Sequence, residues 1–73
     1  MDEFFNKWRA GQYCWFIAWD PDTQRDVEVR GRIIDADDIE GRPGIQNLII
    51  ARDGLTYNRW SDEVYRSKED IYI

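Results

Sequence analysis

The sequence predicts a small α+β protein: a short N-terminal helix packed on a strongly curled, mainly antiparallel sheet of five strands. Three observations lead there. The chain has 73 residues, a length that buries only about 60% of the surface it would expose unfolded, so a single domain over residues 1–73 is all it can build. Four Trp, four Tyr and three Phe supply the large buried areas that let so short a chain form a core without staples. The apolar residues also change period, from helical spacing before Gly11 to two-residue alternation after it.

The lead-in, residues 1–11, has acids first (Asp2, Glu3), bases later (Lys7, Arg9) and Gly11 at the stop, the order a short helix favours. Phe4, Phe5 and Trp8 share one face of that helix and need a surface to cover. Residues 12–73 read as a small barrel. Over residues 13–19, Tyr13, Trp15, Ile17 and Trp19 alternate with Cys14, Phe16 and Ala18, so both faces are apolar. The expected arrangement puts Cys14, Phe16 and Ala18 in the barrel interior, with the helix capping Trp15 and Ile17 on the outside. Asp20-Pro21-Asp22 then breaks the strand.

From 27 to 33 one side is wet, with Glu28, Arg30 and Arg32 opposite Val27, Val29 and Ile33, and Gly31 marks an expected bend or bulge. Residues 35–44, DADDIEGRPG, are acidic and rich in turn formers and predict the longest loop. Asp53-Gly54 is the strongest hairpin signal, pairing residues 48–52 with 55–60. A capped turn from Ser61, a last short strand at 64–66 and a second turn from Ser67 complete the chain.

Five short strands, a bent second strand, a late two-residue hairpin and a helical turn before the last strand resemble a Src-homology-3-like small β-barrel. The stretch DGLTYNRWSDEVYRSKED is similar to the C-terminal part of short proteins encoded by bacteriophages and mobile elements, through Asp53, Gly54, Glu63, Val64, Tyr65, Ser67, Lys68, Glu69 and Asp70. The resemblance implies fold and provenance and brings no catalytic set with it. From provenance follows the expectation of an accessory or inhibitor protein acting on a host factor such as a nucleic-acid-processing complex.

Fifteen acids against ten bases give a net charge of −5, which opposes non-specific attraction to nucleic acid. The chain has no His and one Cys, so His-based triads, acid–base pairs and thiolate clusters are excluded and no cofactor or metal is expected. Asp35, Asp37, Asp38 and Glu40 do not make a calcium loop: EF-hand spacing needs an oxygen ligand at Ile39, Gly at Glu40 and Glu at Gln46. Gly41 and Gly44 flank Arg42-Pro43 without the lysine of a phosphate loop. Cys14, among apolar neighbours, reads as a small buried hydrophobe, and a lone cysteine fits a reducing cytoplasm. No stretch approaches the roughly 18 apolar residues of a membrane span.

The expectation is therefore a non-enzymatic protein-binding module, monomeric or a small homo-oligomer, that contacts a partner with a basic surface. Its candidate contacts are the carboxylates Asp35, Asp37, Asp38 and Glu40 and the rings of Tyr13, Trp19, Tyr57 and Trp60. The alternative is a small-barrel adaptor for single-stranded nucleic acid or a proline-rich peptide, with the same rings stacking beside Arg30, Arg32, Arg52 and Arg59. Arg30 and Arg32 themselves are expected to pair with acids across the strand.

Overall fold

The computed structural model describes residues 7–72. Five strands, β1 (Tyr13–Asp20), β2 (Arg25–Asp38), β3 (Gln46–Arg52), β4 (Leu55–Trp60) and β5 (Val64–Tyr65), form one antiparallel sheet in the order β4-β3-β2-β1-β5. A 3-10 turn, Ser61–Glu63, leads into β5, and a second, Glu69–Tyr72, follows it.

Side-chain alternation makes one face of this sheet the core. Cys14, Phe16 and Ala18 of β1 join Val29 and Ile33 of β2, Leu48 and Ile50 of β3 and Val64 of β5, all buried. Phe16 is fully buried and meets the edge of Tyr57 at 5.2 Å between ring centroids. Each connection has a local cause. After β1, Asp20 accepts hydrogen bonds from the Asp22 amide (3.1 Å) and the Thr23 hydroxyl (2.9 Å), and Gln24 turns back with φ of 56°. Between β3 and β4, Asp53 and Gly54 both take positive φ, 51° and 79°, the two-residue turn whose twist matches the strands it joins.

The sheet is open, and the strongly curled α+β barrel expected from the sequence is not formed. β5 has two residues and pairs only with Trp15 and Phe16, too little to carry the sheet round to β4 at the other edge. The expected bend is also missing at Gly31, which pairs regularly with Cys14. Its glycine serves a different purpose, because a Cβ there would stand 2.5 Å from Ile50 Cγ2 and 3.2 Å from the Phe16 ring. A side chain of the edge strand β4 reaches β1 across the core side: Arg59 donates from Nη2 to the Ile17 carbonyl at 3.1 Å.

The described residues contain no α-helix. Phe4 and Phe5, the first part of the expected N-terminal helix, lie outside the described residues, and 7–9 are not helical. The reason is Gln46. Its Oε1 accepts the Trp8 amide at 2.8 Å and its Nε2 donates to the Trp8 carbonyl at 2.9 Å, so both backbone groups of Trp8 are bound by one side chain. Trp8 is thereby delivered to the core, rather than to the outside of Trp15 and Ile17, with the Arg66 guanidinium 3.8 Å from its ring centroid. The backbone N–H of Gln46 in turn donates to Ser61 Oγ at 2.9 Å.

Cys14 is buried as expected, and burial pushes its thiol up to about 11, with Arg66 pulling back only part of that rise. Reaction with an aromatic disulfide reagent at pH 8 is therefore expected to track unfolding, rising with denaturant along the melting curve. Rapid labelling of the native protein would contradict this burial.

Candidate functional site

Of the eight candidate residues, Tyr13, Trp19, Asp35, Asp37 and Trp60 lie on the face of the sheet opposite the core, and their sidedness is decided by register. On β1, Tyr13, Trp15, Ile17 and Trp19 point outward, standing opposite Arg32, Arg30, Glu28 and Asp26 of β2. Tyr13 is 51% exposed, Ile17 36% and Trp19 60%, while Trp15 is half-buried beside Tyr65, with Lys68 Nζ 6.0 Å from its ring. Trp60 of β4, 38% exposed, shares the outward side through its pairing with Asn47. Tyr57 does not belong to this patch: it faces the core side and packs on Phe16, because residues 55, 57 and 59 alternate inward.

The arginines were expected to meet acids across the strand, and Arg30 does not. Its guanidinium lies 4.2 Å from the Tyr13 ring centroid, and Arg42 covers Trp60 in the same manner at 4.4 Å. Opposite Arg30 and Arg32 the register places Trp15 and Tyr13, so no acid is available directly across from either on β1.

Asp35, Asp37 and Asp38 are not in a loop. β2 continues through Asp38, and the connection to β3 is the shorter 39–45, which retains Glu40, exposed in a turn. A bulge between Ile33 and Asp35 makes this possible. Before it the odd residues Val29, Gly31 and Ile33 face inward; the extra residue Ile34 reverses the alternation, so Ala36 faces inward and Asp35 and Asp37 face out. Without the bulge, two carboxylates would enter the core side. Asp38 turns the other way and meets Lys7 Nζ at 3.2 Å, an exposed pair of small energetic weight. An open cleft runs between Lys7, Trp8 and Arg9 and the end of β2, where Asp35, Asp37 and Asp38 all line it.

Asp35 and Asp37, side by side on the outer face, repel. The charge of Asp35 first, then partial desolvation, a hydrogen bond from the protonated acid to Asp35 and the charge of Asp38 all hold the Asp37 carboxyl above the ordinary aspartate value. A carboxyl raised in the folded state favours folding below its unfolded pKa, and that contribution is lost as pH rises through the raised value. D37N is therefore expected to raise the melting temperature modestly at pH 7, with the gain shrinking in high salt and vanishing below about pH 3, where both forms are neutral. An unchanged or lower melting temperature at pH 7 would contradict the repulsion.

Among the described residues, no group of three or more His, Cys, Asp or Glu is placed to hold a metal ion, and no helix is long and apolar enough to cross a membrane. Comparison with protein-family models, curated proteins and solved structures finds no match. The site is one sheet face that carries Tyr13, Trp15, Ile17 and Trp19 along β1, and Asp35 and Asp37 of β2 with Trp60 in the row of Asp37.

Proposed function

We infer that the chain is a non-enzymatic binding module that acts on another protein through the outer face of its sheet. The observation that carries this is the set of large apolar side chains left facing water on that one side, Tyr13, Ile17 and Trp19 together on β1 and Trp60 apart from them on β4. Exposed Trp and Tyr on a rigid strand lose little conformational entropy when covered, which suits them to anchor a partner. Asp35 and Asp37 on the same face set the sign of that partner, because a basic surface relieves their mutual repulsion and is steered by the net charge of −5. The one thiol, buried and raised, is poorly suited to nucleophilic work.

The resemblance to short phage and mobile-element proteins rests on residues 53–70 of the sequence alone and has no counterpart among the comparisons. On that resemblance the proposed target is a factor of a bacterial host, and the proposed role that of an accessory or inhibitor in the host cytoplasm. Single-stranded nucleic acid is the weaker reading. The net charge of −5 opposes a polyanion, and Asp35 and Asp37 stand on the face that it would have to approach.

The test is capture of a partner from bacterial lysate on the immobilised chain, followed by affinity measurements on the purified pair. Both Y13S/W19S and the quadruple variant D35N/D37N/D38N/E40Q are expected to weaken binding more than tenfold, about 1.4 kcal/mol, with little change in stability at these exposed positions. Wild-type affinity is expected to fall as salt rises. Two variants that bind as wild type does, or an oligonucleotide that binds tighter than any captured protein, would overturn the assignment.

A further inference from the structure

The outer face of the β1–β2 hairpin carries two stripes in register. β1 contributes Tyr13, Trp15, Ile17 and Trp19, and β2 contributes Arg32, Arg30, Glu28 and Asp26 opposite them in that order. The charges are sorted: both bases lie beside Tyr13 and Trp15, both acids beside Ile17 and Trp19. None of Asp26, Glu28, Arg30 and Arg32 has an ion-pair partner among the described residues. An exposed apolar stripe flanked by sorted, unpaired charge is complementary to a surface with the reverse order of charge.

We propose that this surface is the same hairpin of a second copy of the chain, packed face to face in a two-fold symmetric dimer; the proposal rests on the outer face being a contact surface. The two-fold axis lies between the faces and runs across the strands, between the Trp15–Arg30 and Ile17–Glu28 pairs. That operation lays each β1 antiparallel over the β1 of the other copy. Arg30 then meets Glu28 of the second copy and Arg32 meets its Asp26, while Tyr13 lies over Trp19 and Trp15 over Ile17. Every contact occurs twice, as an isologous interface requires. A uniformly basic or acidic partner would satisfy one end of the hairpin and repel the other, whereas the reversed copy satisfies both. The stripe is six residue steps long, about 20 Å at about 3.4 Å per residue, so the interface is small and the dimer belongs to the weak, concentration-dependent class. Tyr13 and Trp19 are also the proposed anchors of the basic partner, so dimer and complex use the hairpin in turn, and Asp35, Asp37 and Trp60 supply contacts that the partner makes and the second copy does not.

Sedimentation equilibrium on the full chain tests this with two charge reversals, R30E/R32E and D26R/E28R. Wild type is expected to pass from monomer to dimer as concentration rises, and less readily at high salt. Each reversed variant alone faces like charge at both ends and stays monomeric. An equimolar mixture of the two restores opposite charges at every contact and is expected to associate one to one, at least tenfold more tightly than either variant with itself. A mixture that does not associate, or a reversed variant that dimerises as wild type does, overturns the proposal. A second measurement uses wild type alone: on dilution, NMR shifts should move at Tyr13, Ile17, Trp19 and Arg30, and changes centred on Leu55 or Tyr72 instead would overturn it. A wild type that remains monomeric up to about 1 mM removes the dimer, while the outer-face assignment is decided separately by the affinities of Y13S/W19S and the acid variants for the captured protein.

Discussion

Replacing Trp8 by alanine is expected to destabilise the protein by about 3 to 5 kcal/mol, a large share of what a domain this small possesses. Trp8 is only 6% exposed and belongs to the core, although it lies outside every strand. The substitution removes the ring, empties its place in the core and leaves the Arg66 guanidinium without the aromatic face it covers at 3.8 Å. Urea denaturation followed by far-ultraviolet circular dichroism measures the loss. A companion substitution, Q46A, leaves the ring and removes the two hydrogen bonds at 2.8 and 2.9 Å that hold its backbone, so it should cost less, about 1 to 3 kcal/mol. A W8A midpoint equal to wild type would mean that the N-terminal segment does not contribute to the core.

The second large effect is expected at Gly31, where even alanine overpacks. An added Cβ would stand 2.5 Å from Ile50 Cγ2, 3.1 Å from the Ala51 carbonyl oxygen and 3.2 Å from Phe16 Cε1, and two of these neighbours are fully buried side chains with little room to move. G31A should cost about 1 to 3 kcal/mol, and G31V more. The mechanism has a signature: I50A removes the clashing methyl, so the double variant G31A/I50A should be less destabilised than the sum of the two single changes. Strict additivity would show that the methyl contact is not the cause.

These two sites mark the limit of what the sequence discloses. Period-two alternation locates β1 to within a residue, and Asp53-Gly54 identifies the β3–β4 hairpin outright, because turn chemistry and register are local properties. The N-terminal helix fails for a non-local reason: Gln46, 38 residues away, binds both backbone groups of Trp8, and acids followed by bases carry no trace of that. Gly31 is read as a bend because glycine in a strand has two uses, flexibility and closeness, and only the position of Ile50 across the sheet selects the second. The acidic stretch is read as a loop because a strand that changes face in mid-course looks aperiodic, and a bulge at Ile34 produces that pattern.

Tyr13 and Trp19 share a face because they are an even number of residues apart on one strand, a relation visible in the sequence. Tyr57 and Trp60 are three apart on β4 and so face opposite ways; the spacing already separated them, and grouping rings by type obscured it. Asp38 parts from Asp35 and Asp37 for the same reason, once the bulge has placed the pair outward.

The central claim is that the outer face of the open sheet is the contact surface and the inner face is the core. Oxidative footprinting of the chain, free at low micromolar concentration and in complex with the captured protein, tests it most directly. The account predicts that Trp60 and at least one of Tyr13 and Trp19 are modified in the free chain and protected in the complex, while buried Trp8 is spared in both. Protection confined to Leu55 and Tyr72, with Tyr13, Trp19 and Trp60 as reactive in the complex as outside it, would contradict the claim.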